Sequence, residues 1–524
     1  MEMGRQPAFQ GARGGEPGFC RFCRTYRMES DSSPWQMQNA ACESEFGMSL
    51  KLWLTVLASG SRKTGRRRRT QLNGAAELAG NSQQLRLRHM LSAANPLLLE
   101  SLDGITGFRI DGVDGGDGSG KSVSSAGDVN GDGFDDLIIG ADTADPGAKF
   151  VAGESYVVFG KSSGFASAVD LSTLDGSNGF LIEGIDAHDR FGRSVSSAGD
   201  VNGDGFDDLI IGAVGADNYA GQSYVVFGRS AGFASAVDLN TLDGSNGFRI
   251  DGIDAGDRSG SSVSGAGDVN GDGFDDLVIG VPFADRFRAP STGESYVVFG
   301  RSAGFASAVN LRTLHISNGF RIDGIDWSDV SGRSVSSAGD VNGDGFGDLI
   351  IGADGADNTA GQSYVVFGSS ARFASDIDLS RLNGSNGFRI DGVEPGNRSG
   401  GFVSGAGDVN GDGFDDLIIG AYGPADPFGD NTSNETYVVF GKSAGFAGII
   451  ELSTLDGSNG FRIAPPDRGD PSGRSVSGAG DVNGDGFDDL VIGAWRADSG
   501  GDRSAGESYV VFGKSAGFAS VMEL

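Results

Sequence analysis

From residue 101 onward, apolar residues fall into short runs separated by clusters of Gly, Asp, Asn and Ser, and the runs recur in a fixed order. Ser-Val-Ser-Ser/Gly-Ala-Gly is followed by Asp-Leu-Ile/Val-Ile-Gly, then Ser-Tyr-Val-Val-Phe-Gly, then Gly-Phe-Arg-Ile-Asp-Gly. Short runs rich in Val, Ile, Phe and Tyr and bounded by turn residues predict strands, not helices. Ser122 to Gly127 carries small residues with one valine, as suits an inner strand near an axis. Leu137 to Gly140 is continuously apolar and reads as buried on both faces. Phe108 to Asp111 alternates Phe and Ile with Arg and Asp, the mark of an outer strand with one wet face.

The decapeptide DVNGDGFDDL recurs almost unchanged from Asp128, Asp200, Asp268, Asp340, Asp408 and Asp481, at spacings of 72, 68, 72, 68 and 73 residues. Six units of four strands, graded from buried inner to amphipathic outer strand, predict an all-β fold: a β-propeller of six four-stranded blades. A seven-bladed ring with one blade missing, or built from the first hundred residues, is the alternative. An outer strand (Gly107 to Gly112) precedes the first inner strand, whereas the last unit stops after its third strand. The N-terminal strand, through Phe108 and Ile110, is therefore expected to complete the sixth blade and remove an open sheet edge. The expected organisation is a leader over 1–100 and a propeller over 101–524.

Charge separates these parts. Residues 1–100 hold 14 Lys and Arg against 8 Asp and Glu, and residues 101–524 hold 26 against 63, a net −37. Such a body repels phosphate backbones and anionic lipid, which argues against nucleic-acid and membrane-surface partners. Cys20, Cys23 and Cys42 all lie in the leader, so the repeats contain no disulfide, thiolate metal site or cysteine nucleophile. In the leader, Met48 to Gly60 has the make-up of a short signal peptide, but its charge asymmetry is wrong unless translation begins at Met48; a disordered tail is the other reading. No apolar stretch reaches membrane-spanning length. The 91 glycines follow no three-residue period, which excludes collagen.

The acidic loop carries the chemistry. Its side-chain oxygens fall at positions 1, 3, 5 and 9, with a glycine at 6 for the sharp turn and a backbone carbonyl at 7. In the first unit these are Asp128, Asn130, Asp132, the Phe134 carbonyl and Asp136. The second unit offers Asp200, Asn202, Asp204, Phe206 and Asp208, and the third Asp268, Asn270, Asp272, Phe274 and Asp276. The fourth offers Asp340, Asn342, Asp344, Phe346 and Asp348, and the fifth Asp408, Asn410, Asp412, Phe414 and Asp416. The sixth has Asp481, Asn483, Asp485, Phe487 and Asp489. Hard oxygen donors in this number suit Ca²⁺ over Mg²⁺, one ion per repeat. Asp135, at position 8, is expected to point away from the ion, and Gly347 replaces it in the fourth unit. Asp, Asn and Gly also build turns without metal, but six loops with the same carboxylates would suffer strong like-charge repulsion when empty.

With Phe191-Gly192 and Ile211-Gly212-Ala213 flanking this loop, the units resemble FG-GAP repeats, the blades of the integrin α-chain N-terminal propeller. The resemblance covers residues 101–524 and implies a propeller with Ca²⁺ in the hairpin loops, extracellular or on the cell surface, with a role in adhesion and ligand recognition. Two features depart from the family: six units instead of seven, and Ser-Gly where Phe-Gly is expected, at Ser119, Ser259, Ser331, Ser399 and Ser472. The near-identity of the units looks more like bacterial secreted members than an animal receptor.

Catalysis finds little support, because His188 and His315 lie in different units and form no dyad. The leading reading is a binding module for a protein or glycan, with a purely structural surface or matrix protein as the alternative and a hydrolase-associated propeller third. The interval from the second strand to the third is 16, 12, 16, 12, 17 and 16 residues, and it accounts for the whole spacing pattern. The ligand is therefore expected on the face bearing loops 141–153, 281–293, 421–435 and 494–507, with Tyr422, Phe428, Phe283, Phe287 and Trp495 as anchors. The triplet Arg468-Gly469-Asp470 is read as coincidence in a chain so rich in these residues.

Overall fold

The computed structural model describes residues 99–286, 289–423, 434–443, 445–465, 472–495, 497, 506–515 and 517–524. The leader readings, Phe287, Phe428 and the Arg468-Gly469-Asp470 triplet lie outside these residues.

The repeats fold as an all-β six-bladed propeller. In the first blade the inner strand Ser122–Gly127 pairs antiparallel with Asp136–Ala141, which pairs with Glu154–Val158, which pairs with the outer strand Gly179–Glu183. The register places Val123 opposite Ile139, Ile139 opposite Tyr156 and Tyr156 opposite Leu181. The second strand of the second blade, Asp208–Ala213, is buried at every position, which is why its sequence does not alternate.

Blades one to five have five strands instead of the expected four. Ala236–Val237, from the segment after the second blade's third strand, runs parallel to the first blade's outer strand and lengthens that sheet. The same parallel addition recurs at Ala308–Asn310, Asp376–Asp378, Ile449–Glu451 and Val521–Glu523. The chain thus leaves its own third strand, pairs with the preceding blade, and returns to form its own outer strand. A short 3-10 turn makes the return, capped in the second unit by Asp238, whose carboxylate accepts the Asn240 N–H.

The apolar core lies between blades. Ile138, Val157 and Phe180 of the first blade pack with Val195, Leu209 and Tyr224 of the second. Phe233, carried in by the returning segment, stacks on Phe180 with ring centroids 4.2 Å apart, and Phe159 meets Phe180 edge-on at 5.8 Å. Four equivalent triads follow: Phe227, Phe248 and Phe305; Phe299, Phe320 and Phe373; Phe367, Phe388 and Phe446; and Phe440, Phe461 and Phe518. Gly140 shows why small residues recur at the blade contact, since a Cβ there would lie 2.1 Å from the Gly192 carbonyl oxygen of the next blade.

The expected N-terminal closure is not confirmed. Among the described residues Arg109–Asp111 pairs with Ala168–Asp170, and the sixth blade contains Ser472–Gly480, Asp489–Ala494 and Glu507–Val511 with no strand paired beyond the last. Val123 of the first blade is accordingly 64% exposed where its equivalent Val195 is 5%, and Val510 of the sixth is 50% exposed. Phe108 stacks on Phe165 at 4.0 Å, while Phe512, the residue matching Phe159, is exposed. Two rings of this triad therefore sit at one end of the array and the third at the other. Among the described residues no helix is long and apolar enough to cross a membrane.

Candidate functional site

The hairpin between inner and second strands is where Gly127 pairs with Asp136; the connection to the third strand leaves the opposite end, where Ala141 pairs with Glu154. Acidic hairpins and variable loops thus occupy opposite ends of each blade.

Each hairpin is held by its first aspartate. Asp128 accepts the Gly131 N–H at 2.8 Å and the Asp132 N–H at 3.0 Å through Oδ1, and the Gly133 N–H at 2.8 Å through Oδ2. Asp132 Oδ1 accepts the Phe134 N–H at 3.0 Å. Gly131 and Gly133 have φ of 74° and 87°, the left-handed region that makes glycine the favoured residue there. The ninth residue is the buried one: Asp136 accepts from Val129 at 3.2 Å and from Gly160 at 2.8 Å, tying the loop to the end of the third strand. Asn130 lies close to Asp136, its amide donating at 3.4 Å.

Burial pushes the Asp136 carboxyl up to about 7, and the Asp132 and Asp128 carboxylates add to the shift. Burial likewise pushes Asp208, Asp276, Asp348 and Asp416 up to about 8, with the first and fifth residues of each loop adding the same repulsion. Among the described residues no three His, Cys, Asp or Glu stand gathered as a metal cage, because the first aspartate turns its oxygens onto loop amides. The donors nonetheless fit a hard divalent cation in kind: all are oxygens, all come from one nine-residue loop, and the buried carboxyl is destabilised by negative neighbours that a cation would offset.

The eighth residue has a role that the loop's own spacing does not disclose. Asp207 Oδ2 accepts the Asp128 N–H of the preceding blade at 2.8 Å, and Asp275, Asp415 and Asp488 do the same for Asp200, Asp340 and Asp408 at 2.7 to 2.9 Å. The Phe206 ring meanwhile covers Gly131 so closely that a Cβ there would lie 2.3 Å from it. Adjacent hairpins are therefore clamped in series. Gly347, lacking the carboxylate, keeps only the backbone bond that the other four also make: its N–H donates to the Asp268 carbonyl at 3.0 Å, against 3.2 to 3.4 Å for Asp207, Asp275, Asp415 and Asp488. The sequence signal was available in that one substitution, which leaves the loop's own residues unchanged.

At the other end, the short connections of blades two and four close in a tight turn, with Asp217, Asn218, Asp357 and Asn358 in left-handed backbone. Of the expected anchors, Trp495 is 49% exposed and Phe283 half-buried under the Arg258 guanidinium. Tyr422 is a correction: it is buried, and its hydroxyl donates to Asp354 at 2.7 Å, so it supports the surface from beneath. His188 and His315 are exposed in separate units and do not meet.

An FG-GAP repeat profile matches residues 119–158, 191–226, 259–298, 331–366, 400–439 and 472–511, in each case from the start of the inner strand through the third strand. The chain is an FG-GAP repeat protein. Its propeller is similar to integrin alpha-V of Gallus gallus, 29% identical over 239 residues, which are 44% of this chain and 20% of that protein. Integrin alpha-PS2 of Drosophila melanogaster is 29% identical over 323 residues, 56% of this chain and 20% of its own length. Phosphatidylinositol-glycan-specific phospholipase D of Bos taurus is 36% identical over 192 residues, 36% of this chain and 21% of its own. The chain thus spans about a fifth of the length of these curated relatives.

Proposed function

We propose that this FG-GAP propeller is a calcium-binding, non-catalytic ligand-binding or adhesion module, extracellular or on the cell surface, that holds about six Ca²⁺ and meets a protein or glycan on the variable-loop face. The observation that carries the reading is the opposition of two ends: six hairpins with the same oxygen donors at one, loops of differing length at the other. In each hairpin the first, third, fifth and ninth side chains and the seventh carbonyl would hold the ion. The ion would supply positive charge where buried and exposed carboxylates crowd. The similarity to integrin alpha chains supports a recognition role.

Completion of the sixth blade by residues 107–112 belongs to the same proposal, with Phe512 joining Phe108 and Phe165 as the sixth aromatic triad. Deleting residues 101–112 should then lower the melting temperature and promote self-association; an equally stable monomer would overturn closure.

The functional reading is tested by equilibrium dialysis for calcium, with about six ions per chain expected, and by binding to a panel of matrix proteins and glycans. Exchanging the loop of unit five for the short 213–222 loop should abolish ligand binding and leave calcium stoichiometry intact. Loss of binding only when the hairpins are altered would contradict the placement. The phospholipase D relative favours one further reading, a propeller accompanying a hydrolase; a lipid and glycan hydrolase screen of the native protein tests it.

A further inference from the structure

Among the described residues, the variable-loop end of blades four to six gathers three arginines around one buried aspartate. Arg333 directly precedes the inner strand Ser334–Gly339, Arg398 directly precedes Ser399–Gly407, and Arg474 lies in the first turn-side residues of Ser472–Gly480. All three therefore stand at the end opposite the acidic hairpins. Arg333 and Arg398 approach one buried carboxylate, Asp354, but only to 3.9 Å each, beyond hydrogen-bond distance, while Tyr422 takes the short contact at 2.7 Å. Both guanidinium groups remain partly exposed. Arg474 lies over the Tyr422 ring at 4.9 Å and the Trp495 ring at 5.6 Å. Its Nε is buried without a hydrogen-bond partner, and it has no carboxylate within 4 Å among the described residues.

The arrangement has a counterpart. In blades one and two the buried Asp142, at the position equivalent to Asp354, is approached by Lys121 at 2.9 Å, Arg193 at 3.6 Å and Arg190 at 3.9 Å. A buried aspartate gathering cations from two successive blades is thus a repeated device, and among the described residues the copy in blades four to six adds an arginine lying over two aromatic rings.

We propose that Arg333, Arg398 and Arg474, with Tyr422 and Trp495, form a binding site for a carboxylate on an acidic segment of a protein partner. The inference rests on the variable-loop face being the ligand face. Among the described residues, three guanidinium groups stand against one aspartate, and planar forks whose nitrogens come no nearer than 3.9 Å to it match a carboxylate in two-pronged geometry. The buried tyrosine and the exposed tryptophan hold Arg474 in place, and the tryptophan offers apolar contact to the chain around that carboxylate. A long polyanion is disfavoured, because it would run from this patch across a body of net −37, whereas a single acidic side chain stays within a Debye length of the arginines.

The probe is a short fluorescein-labelled glutamate-rich peptide, read by fluorescence anisotropy on the full chain with calcium present. Wild-type protein should bind it, more weakly as salt rises. Arg474→Ala should weaken binding about tenfold, and Arg398→Ala with Arg474→Ala should abolish it. Arg474→Lys, which keeps charge but not the fork, should fall between wild type and Ala at an unchanged melting temperature. Arg229→Ala, at the hairpin end, should change nothing. Absence of peptide binding, equal binding by the double variant, or tighter binding of a sulfated oligosaccharide lost with the same substitutions would each overturn the assignment. If the unit-five loop exchange still abolishes binding in the panel when the peptide fails, only the carboxylate site falls and the face itself stands.

Discussion

The two ends of a blade are made by the same four antiparallel strands, yet one end is repeated almost letter for letter and the other varies. At the hairpin end each loop bonds to itself through its first aspartate and to its own third strand through the ninth, and in units two, three, five and six it bonds the preceding blade through the eighth. A residue inserted there would break three sets of contacts at once. At the opposite end only the last residues of the connection are tied to the next blade, Val151 and Ala152 accepting the backbone N–H groups of Arg190 and Phe191, so length and composition can change ahead of that anchor without disturbing strand register. Constraint in a repeat protein therefore follows how many partners a loop has, more than how exposed it is.

If the hairpin end is a calcium end, removing the ion should produce the largest effect. At millimolar calcium and a site affinity near 10⁻⁴ M, each site contributes about 1.4 kcal/mol, so metal-free protein should melt far below the calcium-loaded form in calorimetry. An unchanged melting temperature would erase the proposed chemical difference between the ends.

The inter-blade clamp comes next. Asp207→Ala should cost about 1–2 kcal/mol in denaturant unfolding, since it leaves the Asp128 N–H unpaired where two blades meet. Gly347 offers an internal comparison: Gly347→Ala removes no carboxylate, and any cost would reflect fit alone, with a Cβ 2.9 Å from the Ala266 carbonyl.

A smaller effect should appear with pH. The carboxyls of Asp208, Asp276, Asp348 and Asp416 lie near 8 in the fold, against a model-compound range near 4. A raised folded value means their contribution is fully present below about pH 4 and is lost as pH rises towards 8. Metal-free protein should therefore lose melting temperature between pH 5 and 8, and added calcium, by binding the ionised form, should flatten that slope. A metal-free slope of the opposite sign would contradict the assigned burial.

The smallest stability change is expected from exchanging variable loops. Shortening the unit-five loop beyond Tyr422, so that the buried bond to Asp354 is kept, should shift unfolding by less than about 0.5 kcal/mol, as surface substitutions do. A cost as large as that of Asp207→Ala would show that this end is as constrained as the other.

Much of this contrast was legible in the sequence. The invariant loop and the intervals of 12 to 17 residues located both ends before any strand was placed. The fifth strand was not legible, because Ala236–Val237 is two residues long and pairs with a strand of another unit more than fifty residues upstream. Periodicity within a window cannot report such a partner. Tyr422 read as an exposed anchor because an aromatic in a loop resembles a binding residue; its burial depends on Asp354, in the previous unit. Asp207 was recognised as no ligand, but its acceptor role towards Asp128 required knowing that adjacent hairpins lie side by side.

The returning segment also sets an order of events during synthesis. The first blade's outer strand, Gly179–Glu183, has its edge covered only by Ala236–Val237 and its ring Phe180 stacked only by Phe233, both made after the second blade's third strand. No blade is finished when its own four strands have emerged from the ribosome; it waits for the next one to be nearly complete. Nascent chains stopped just before residue 233 should therefore hold the first blade in a protease-sensitive state, and chains extended past residue 242 should protect it. Equal protection at both lengths would show that the blade matures alone.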